Sequence, residues 1–114
     1  MNKSAAYGRV TNIVSEKALN DLLQTHDRVV IKYSATWCQP CKKIEPEYAR
    51  LAGLYRNVLF FHIDIDECDS FELVKTIQSV PTFHMFLRAK KTNDSITGTD
   101  KNKLEYAIAK LASS

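Results

Sequence analysis

The chain has 114 residues, which is enough for one domain with a single core. Its hydrophobic fraction of 45% and charged fraction of 25% are ordinary for a globular protein and argue against disorder. The net charge of +3 is mild, and Lys90-Lys91 is too short a basic run to indicate nucleic acid. No apolar stretch approaches the ~20 residues of a membrane span. We therefore expect neither a nucleic-acid partner nor a membrane partner.

The number of cysteines and the N-terminal residues indicate the cellular compartment. The chain has three cysteines, whereas a secreted domain stapled by disulfides usually carries an even number. Residues 1–10 also lack the apolar segment of a secretory signal. We therefore expect a reducing compartment and place the protein in the cytoplasm.

Hydrophobic periodicity and turn residues predict nine elements after residues 1–8, a small and polar stretch that we expect to be a flexible tail. In chain order they are strand 9–14, a helix capped by Ser15 that ends near 25, strand 29–34, helix 39–55, strand 58–65, helix 71–77, strand 80–87, strand 95–97 and a final helix capped by Asp100. The order βαβαβαββα predicts one α/β domain over residues 9–114.

Three stretches of the sequence allow more specific structural predictions. Residues 29–34 are nearly continuously apolar, which predicts a strand buried on both faces in a parallel arrangement. Pro46 falls inside the long helix and is expected to kink it. Residues 88–94 are expected to form a loose polar loop.

Two cysteines stand three residues apart in Trp37-Cys38-Gln39-Pro40-Cys41, where strand 29–34 gives way to the long helix. The start of a helix is the positive end of its dipole, which favours thiolate over thiol. Cys38 is expected at the N-cap and Cys41 one turn further in, more shielded. Lys42 and Lys43 follow and add positive charge. A nucleophilic thiolate with a second thiol in reach carries out thiol–disulfide exchange, so the pair predicts redox chemistry.

The alternative for such a cysteine pair is half of a zinc site, which needs two further ligands. Cys68 and His62 are the nearest candidates in the sequence, and we predict that no metal is bound. Cys68 is expected to be a surface or helix-start thiol, with regulatory oxidation or an intermolecular disulfide as the alternative. Asp64 and Asp66, at the end of a strand, are expected to be solvated or to cap a turn.

The histidines have no ligand-like spacing to a partner. His26, His62 and His84 are each expected to be structural or solvated. His62 lies in the strand beside the one that holds Lys32 and could face the same region.

The motifs together resemble the thioredoxin family over about residues 10–111. The resemblance is carried by Trp37-Cys38-Gln39-Pro40-Cys41 with its flanks, Pro46, Asp64-Ile65-Asp66, Val80-Pro81-Thr82-Phe83 and Gly98. The run 34–37 and the position of Cys68 are most similar to the cytosolic eukaryotic branch. The resemblance implies a central mixed five-stranded sheet flanked by helices on both faces.

The resemblance also implies roles for the motif. Cys38 would attack a substrate disulfide, and Cys41 would resolve the mixed disulfide that results. Trp37 would cover the site and offer an apolar face to substrates. Trp37 itself, Gln39 and Pro40 between the cysteines, and Lys42 after them would tune the site.

A second segment is implied to bind the substrate. Pro81 resembles the family's cis-proline, packed against the disulfide, and a cis bond before proline costs only ~0.5–1 kcal/mol. The cis bond exposes the backbone of Val80, which can pair with an extended substrate strand. Gly98 would allow close backbone approach beside this groove.

Two residues depart from the family pattern. Lys32 stands where the family usually has a buried acid that takes the proton of the resolving cysteine, and Gln39 stands where the common motif has glycine. A positive Lys32 near the sulfurs would stabilise a thiolate, and stabilising the reduced form makes a disulfide more oxidising. We therefore expect a weaker reductant with slower resolution by Cys41. The alternatives are that Lys32 extends its ammonium to water, or that it acts as a neutral base.

The resemblance implies a cytosolic, monomeric protein-disulfide oxidoreductase that takes part in electron transport and cell redox homeostasis. It would bind no cofactor and would receive electrons from NADPH indirectly, through a partner similar to thioredoxin reductase. Its substrates would be protein disulfides, for example those of peroxidases. The alternatives are a thiol oxidase or isomerase, a dedicated electron carrier, or a non-catalytic interaction module built on the same fold.

Overall fold

A computed structural model describes residues 5–114 of the chain. Within this range the strands are β1 (Val10–Asn12), β2 (Arg28–Ser34), β3 (Leu59–Asp64), β4 (Thr82–Leu87), β5 (Lys90–Lys91) and β6 (Ile96–Thr97), and the helices are α1 (Glu16–Thr25), α2 (Gln39–Leu54) and α3 (Lys101–Ala112). None of these helices combines the length and apolar character that crossing a membrane requires.

The strands form one mixed sheet in the order β1-β3-β2-β4-β5, and β6 also pairs with β4. β1 and β2 run parallel to β3, whereas β4 runs antiparallel to β2, β5 and β6. The predicted mixed sheet is confirmed, with six strands in the described range rather than five. β2 lies in the middle and is buried from Val29 to Ser34, as predicted. The expected parallel arrangement holds only toward β3, because β4 runs antiparallel to β2.

Helices cover both faces of the sheet because side chains alternate across each strand. On one face α1 and the segment 65–77 bury a core with the odd-numbered residues of β2 and β3, and on the other face α2 and α3 bury a second core with the even-numbered ones. Representative members are Leu19, Leu22, Ile31, Phe61 and Phe71 on the α1 face, and Ile44, Leu51, Val30, Phe60 and Ile108 on the α2 face. Lys32 follows Val30 and so points to the α2 face.

The predicted helix caps are confirmed. Ser15 Oγ accepts a hydrogen bond from the Ala18 amide, and Asp100 Oδ1 accepts two from the first turn of α3. Pro46 lies inside α2, which continues to Leu54. The bend that Pro46 is expected to cause stays a prediction.

The predicted helix 71–77 is wrong. The chain forms successive turns from residue 65 onward, followed by a 3₁₀ helix at Val74–Thr76. The Phe71 amide, for example, donates to the carbonyl of Cys68, three residues back. Such turns bring Phe71 and Val74 onto the core without a continuous α-helix, so the apolar spacing alone did not distinguish the two structures.

The predicted loose loop 88–94 is also wrong at its start, where β4 and β5 form a hairpin. Leu87 pairs with Lys90, and the two residues between them have positive φ, 49° at Arg88 and 71° at Ala89. Two such residues form the turn that suits the twist of paired strands, usually occupied by Asn and Gly. The sequence contains neither residue here and therefore did not indicate the turn.

Part of the predicted tail 1–8 makes contacts with the domain. Ala5 packs against the α1-face core, and the ring of Tyr7 lies 6.0 Å from that of His26. Residues 1–4 lie outside the described range. The boundary between a tail and the domain at residue 9 stays a prediction.

Candidate active site

The cysteine pair lies where β2 passes into α2. Cys38 is the N-cap of α2, and its Sγ accepts a hydrogen bond of 3.1 Å from the amide of Cys41. The two cysteines form a disulfide. Cys38 is 4% exposed and Cys41 is 0% exposed, so Cys38 is the sulfur nearer to solvent. A sulfur that already accepts a backbone N–H at a helix start is placed to carry negative charge once it is reduced.

A cis peptide bond joins Val80 to Pro81 next to the disulfide. The carbonyl oxygen of Val80 lies 3.7 Å from Cys38 Sγ, and Val80 belongs to the apolar cluster around the two sulfurs. Val80 precedes β4, so its backbone is outside the sheet pairing. This end of the sheet can therefore present backbone groups beside the reactive sulfur.

Gly98 directly follows β6 and lies at the same end of the sheet as Pro81. Its amide donates to the carbonyl of Pro81 at 3.0 Å, and its φ of +106° suits glycine. A Cβ built at Gly98 would meet no atom within 4 Å. Within the protein alone, glycine is therefore needed for the backbone conformation. The close approach of a substrate to Gly98 stays a prediction.

Trp37 stands out from the surface next to Cys38 and is 65% exposed. Its indole Nε1–H donates to Asp66 Oδ2 at 2.9 Å, which holds the ring at the turn after β3. Asp64 Oδ1 accepts from the amides of Asp66 and Glu67, so Asp64 caps the turn, as expected. Asp66 was expected to be solvated or to cap the turn as well, but its carboxylate binds the Trp37 indole instead. No group of three potential metal ligands occurs among residues 5–114.

Gln39, Pro40 and Lys42 occupy the first turn of α2, and all three are exposed. Pro40 suits this position because the first turn of a helix needs no hydrogen bond from its nitrogen. The three residues adjoin the two cysteines in the sequence. Their influence on the redox chemistry stays a prediction.

Lys32 is fully buried beneath the motif, with 0% exposure. Its Nζ donates to the carbonyl oxygen of Cys41 at 3.0 Å and lies 3.8 Å from Glu45 Oε1. The idea that the ammonium reaches water is wrong, because the α2 helix covers the side chain. Burial lowers the pKa of Lys32 below its usual 10.5, and the Glu45 carboxylate opposes that shift.

His62 does face the same region as Lys32, directly across the β2–β3 pairing. A groove of about 410 Å³ between the sheet and α2 is lined by both residues, together with Glu45 and Tyr48. His62 Nδ1 lies 3.0 Å from Asn12 Oδ1. Burial, and then the charge of Lys32, lower the pKa of His62, which favours a neutral ring.

Cys68 is not a surface thiol, contrary to expectation. It is 1% exposed on the α1 face of the sheet, and its Sγ lies 3.5 Å from the carbonyl oxygen of Ile13. Burial, and then the charge of Glu67, raise the pKa of the Cys68 thiol. Both effects disfavour the thiolate, so Cys68 is poorly suited to react with oxidants.

Sequence reasoning missed Glu45 as part of this site. Glu45 is four residues after Cys41, and positions i and i+4 share a face of a helix, so the spacing does carry a signal. What the sequence could not show is that this face of α2 meets Lys32.

A disulfide between the N-cap and the first turn of a helix, beside a cis-proline and under an exposed tryptophan, defines a dithiol–disulfide exchange protein. The comparisons make the assignment specific. The family model described as Thioredoxin matches residues 10–110, and the chain belongs to the thioredoxin family. It is a disulfide oxidoreductase with the redox-active pair Cys38 and Cys41.

Known proteins similar to this chain support the same assignment. A thioredoxin from Equus caballus is 36% identical over 104 residues, covering 90% of this chain and 98% of the relative. Spinach chloroplast thioredoxin f has a TM-score of 0.85 at 29% identity, with 100% of both chains covered. A chain from a structure on thiol resolution in a yeast mitochondrial 1-Cys peroxiredoxin by the glutathione and thioredoxin systems has a TM-score of 0.83 at 27% identity. That match covers 93% of this chain and 99% of the other.

Proposed function

We propose that the protein reduces disulfides in other proteins, with Cys38 as the attacking and Cys41 as the resolving cysteine. The observation that carries this order is the difference in access: Cys38 Sγ sits at the helix N-terminus beside the Val80 carbonyl, whereas Cys41 has no exposure. A large substrate reaches the outer sulfur first.

The exchange proceeds in two balanced steps. The Cys38 thiolate attacks one sulfur of the substrate disulfide, a Cys38–substrate bond forms, and the other substrate sulfur leaves as a thiolate that takes a proton from solvent. Cys41 then loses its proton and attacks Cys38 Sγ. The Cys38–Cys41 bond forms, the bond to the substrate breaks, and the second substrate sulfur leaves with the electron pair. The substrate has gained two electrons, which this cysteine pair has lost.

Substrate binding is proposed to use the surface around Cys38. The ring of Trp37 offers an exposed apolar face, and the backbone of Val80 lies outside the sheet, ready to pair with an extended segment. Pro81 and Gly98 shape this end of the sheet. A protein substrate with a disulfide in an extended or mobile segment fits these features.

The reduced pair must be regenerated. We propose a partner of the thioredoxin reductase type, with NADPH as the indirect electron source, and peroxidases among the substrates. The family membership supports this proposal, as does the similarity to a chain from a structure concerned with peroxiredoxin thiol resolution. We further propose a monomer in the cytoplasm, a reducing compartment that suits a chain with one redox pair and one buried free thiol. Light scattering after size exclusion and imaging of the tagged protein test these two points.

Lys32 favours a second candidate, oxidase or isomerase activity. A buried positive charge next to the carbonyl of Cys41 stabilises negative sulfur, hence the reduced pair, and makes the disulfide more oxidising. We propose a reduction potential less negative than the about −270 mV of thioredoxin. A measured potential at or below that value would contradict this part of the proposal.

The experiment that tests the main proposal is reduction of insulin driven by dithiothreitol and followed by turbidity. The wild type should accelerate precipitation, and Cys38→Ser should abolish the acceleration. Cys68→Ser is the matched control, because Cys68 lies in the core of the opposite sheet face, and it should keep the activity. A wild type that does not exceed the dithiothreitol background, or a Cys38→Ser variant that remains active, would overturn the proposal.

A further inference from the structure

The amine of Lys32 is in an unfavourable position for a charged group. It is fully buried, and one of its N–H groups donates to the carbonyl of Cys41. Removing an ammonium group from water is costly unless a charge of opposite sign compensates it. Whether Lys32 is charged therefore depends on the groups that face it.

These groups come from the elements packed around Lys32. α2 contributes Cys41, Glu45 and Tyr48, with the Tyr48 ring centre 5.9 Å from Nζ, and β3 contributes His62. The neighbouring residue of β4 is Phe83, which carries no charge. Burial raises the pKa of Tyr48 and lowers that of His62, so both are neutral near pH 7. Within the part of the chain that the structure describes, Glu45 supplies the one carboxylate within ion-pair distance of Lys32.

We propose that Glu45 is a positioning residue for the redox reaction: its carboxylate holds Lys32 in the charged form, and charged Lys32 attracts the negative charge of the reduced Cys38–Cys41 pair. The order of attack assigned to the two cysteines rests on the proposed function. The effect on the stability of the reduced pair does not depend on that order.

The charges balance through the cycle. In the reduced protein the thiolate at the start of α2 is attracted by the Lys32 ammonium, which donates to the Cys41 carbonyl and lies 3.8 Å from the Glu45 carboxylate. When the disulfide forms, the sulfurs lose their charge and the Lys32–Glu45 pair remains. Without the Glu45 carboxylate, burial favours the neutral amine. A thiolate would then form among Ala35, Ile65 and Val80 with no opposite charge beneath it.

The sign of the effect distinguishes this proposal from simple repulsion. If Glu45 acted only through its own negative charge, its removal would stabilise the thiolate and make the disulfide more oxidising. If Glu45 acts by keeping Lys32 charged, its removal should destabilise the thiolate and make the protein more reducing. The Glu45 side chain is 55% exposed, so solvent screens the direct repulsion.

The test is the equilibrium of the Cys38–Cys41 pair with glutathione redox buffers at pH 7. Glu45→Gln should shift the equilibrium constant about tenfold toward a more negative potential, which corresponds to about 30 mV. Lys32→Met should shift it in the same direction, and the double variant should shift it no further than Lys32→Met alone. Glu47→Gln is the matched control, because Glu47 lies on the same helix but pairs with Arg50 rather than with Lys32. It should leave the potential unchanged.

A more oxidising Glu45→Gln, an unchanged potential in that variant, or additive effects in the double variant would each overturn the proposal. If Lys32→Met does not fold, Lys32→Gln replaces it in the comparison. The measurement requires only the protein's own disulfide, so its result is independent of insulin reduction. Loss of the insulin activity would contradict the proposed function, whereas the potentials test Glu45.

Discussion

His84 makes the stability of the fold depend on pH, and a His84→Gln variant measures how strongly. His84 lies in β4, is 6% exposed, and its Nδ1 is 3.1 Å from the hydroxyl of Tyr33. Burial, and then the charge of Lys91, lower the pKa of His84 to about 4 from 6.5. His84 is therefore harder to protonate in the folded protein than in the unfolded chain.

The sign and size of the effect follow from these two pKa values. Because the unfolded chain binds the proton below pH 6.5 and the folded protein binds it only near pH 4, stability is lost as the pH falls between these values. The loss attributable to His84 is about 2 kcal/mol at pH 5 and about 3 kcal/mol at pH 4. Above pH 6.5 the residue has little effect on the pH dependence.

Urea unfolding of the oxidised protein at pH 7, 5 and 4 measures this dependence. The wild type should lose more free energy of unfolding between pH 7 and pH 5 than His84→Gln does, by about 2 kcal/mol. His26→Gln serves as the control for exchanging a histidine for glutamine at a half-buried position, at the end of α1. If wild type and His84→Gln lose the same free energy of unfolding on acidification, the reasoning is refuted. Burial would then not prevent the protonation of His84 in the folded protein.

Three further substitutions have expected outcomes. Tyr48→Phe removes the hydroxyl that contacts the carbonyls of Phe61 at 2.7 Å and Val30 at 3.2 Å, so urea unfolding should show a loss of about 1–3 kcal/mol. An unchanged midpoint would mean that these carbonyls find other donors. Asp100→Ala removes the cap of α3, so thermal unfolding should show a loss of about 1 kcal/mol in the free energy of unfolding. An unchanged value would mean that water caps the helix equally well. Trp37→Ala should lower kcat/KM for insulin about fivefold to tenfold with stability changed by less than about 0.5 kcal/mol. Full activity would exclude Trp37 from substrate contact.

The parts of the fold and of the site that were predictable from the sequence depend on interactions between neighbouring residues. Cys38 at the start of α2, the caps Ser15 and Asp100, and the strand 29–34 depend on residues close to one another in the chain, and each is confirmed. Capping and helix dipoles act over a single turn, so the sequence around each position contains the necessary information.

The parts that were not predictable depend on packing between distant segments. The position of Lys32 was recognised as unusual, but its contact with Glu45 arises from how α2 lies across β2. The burial of Cys68 depends on the carbonyl of Ile13, 55 residues earlier. The turn at Arg88 and Ala89 is imposed by the pairing of β4 with β5, against the local preference of both residues.

The buried third cysteine provides an intrinsic probe of local unfolding. In the oxidised protein Cys38 and Cys41 are bonded to each other, so Cys68 is the single free thiol of the chain. A thiol reagent can label Cys68 only when the segment 65–77 separates from the α1 face. The rate of labelling, without any engineered site, would therefore report how often this layer of the fold opens and exposes the thiol.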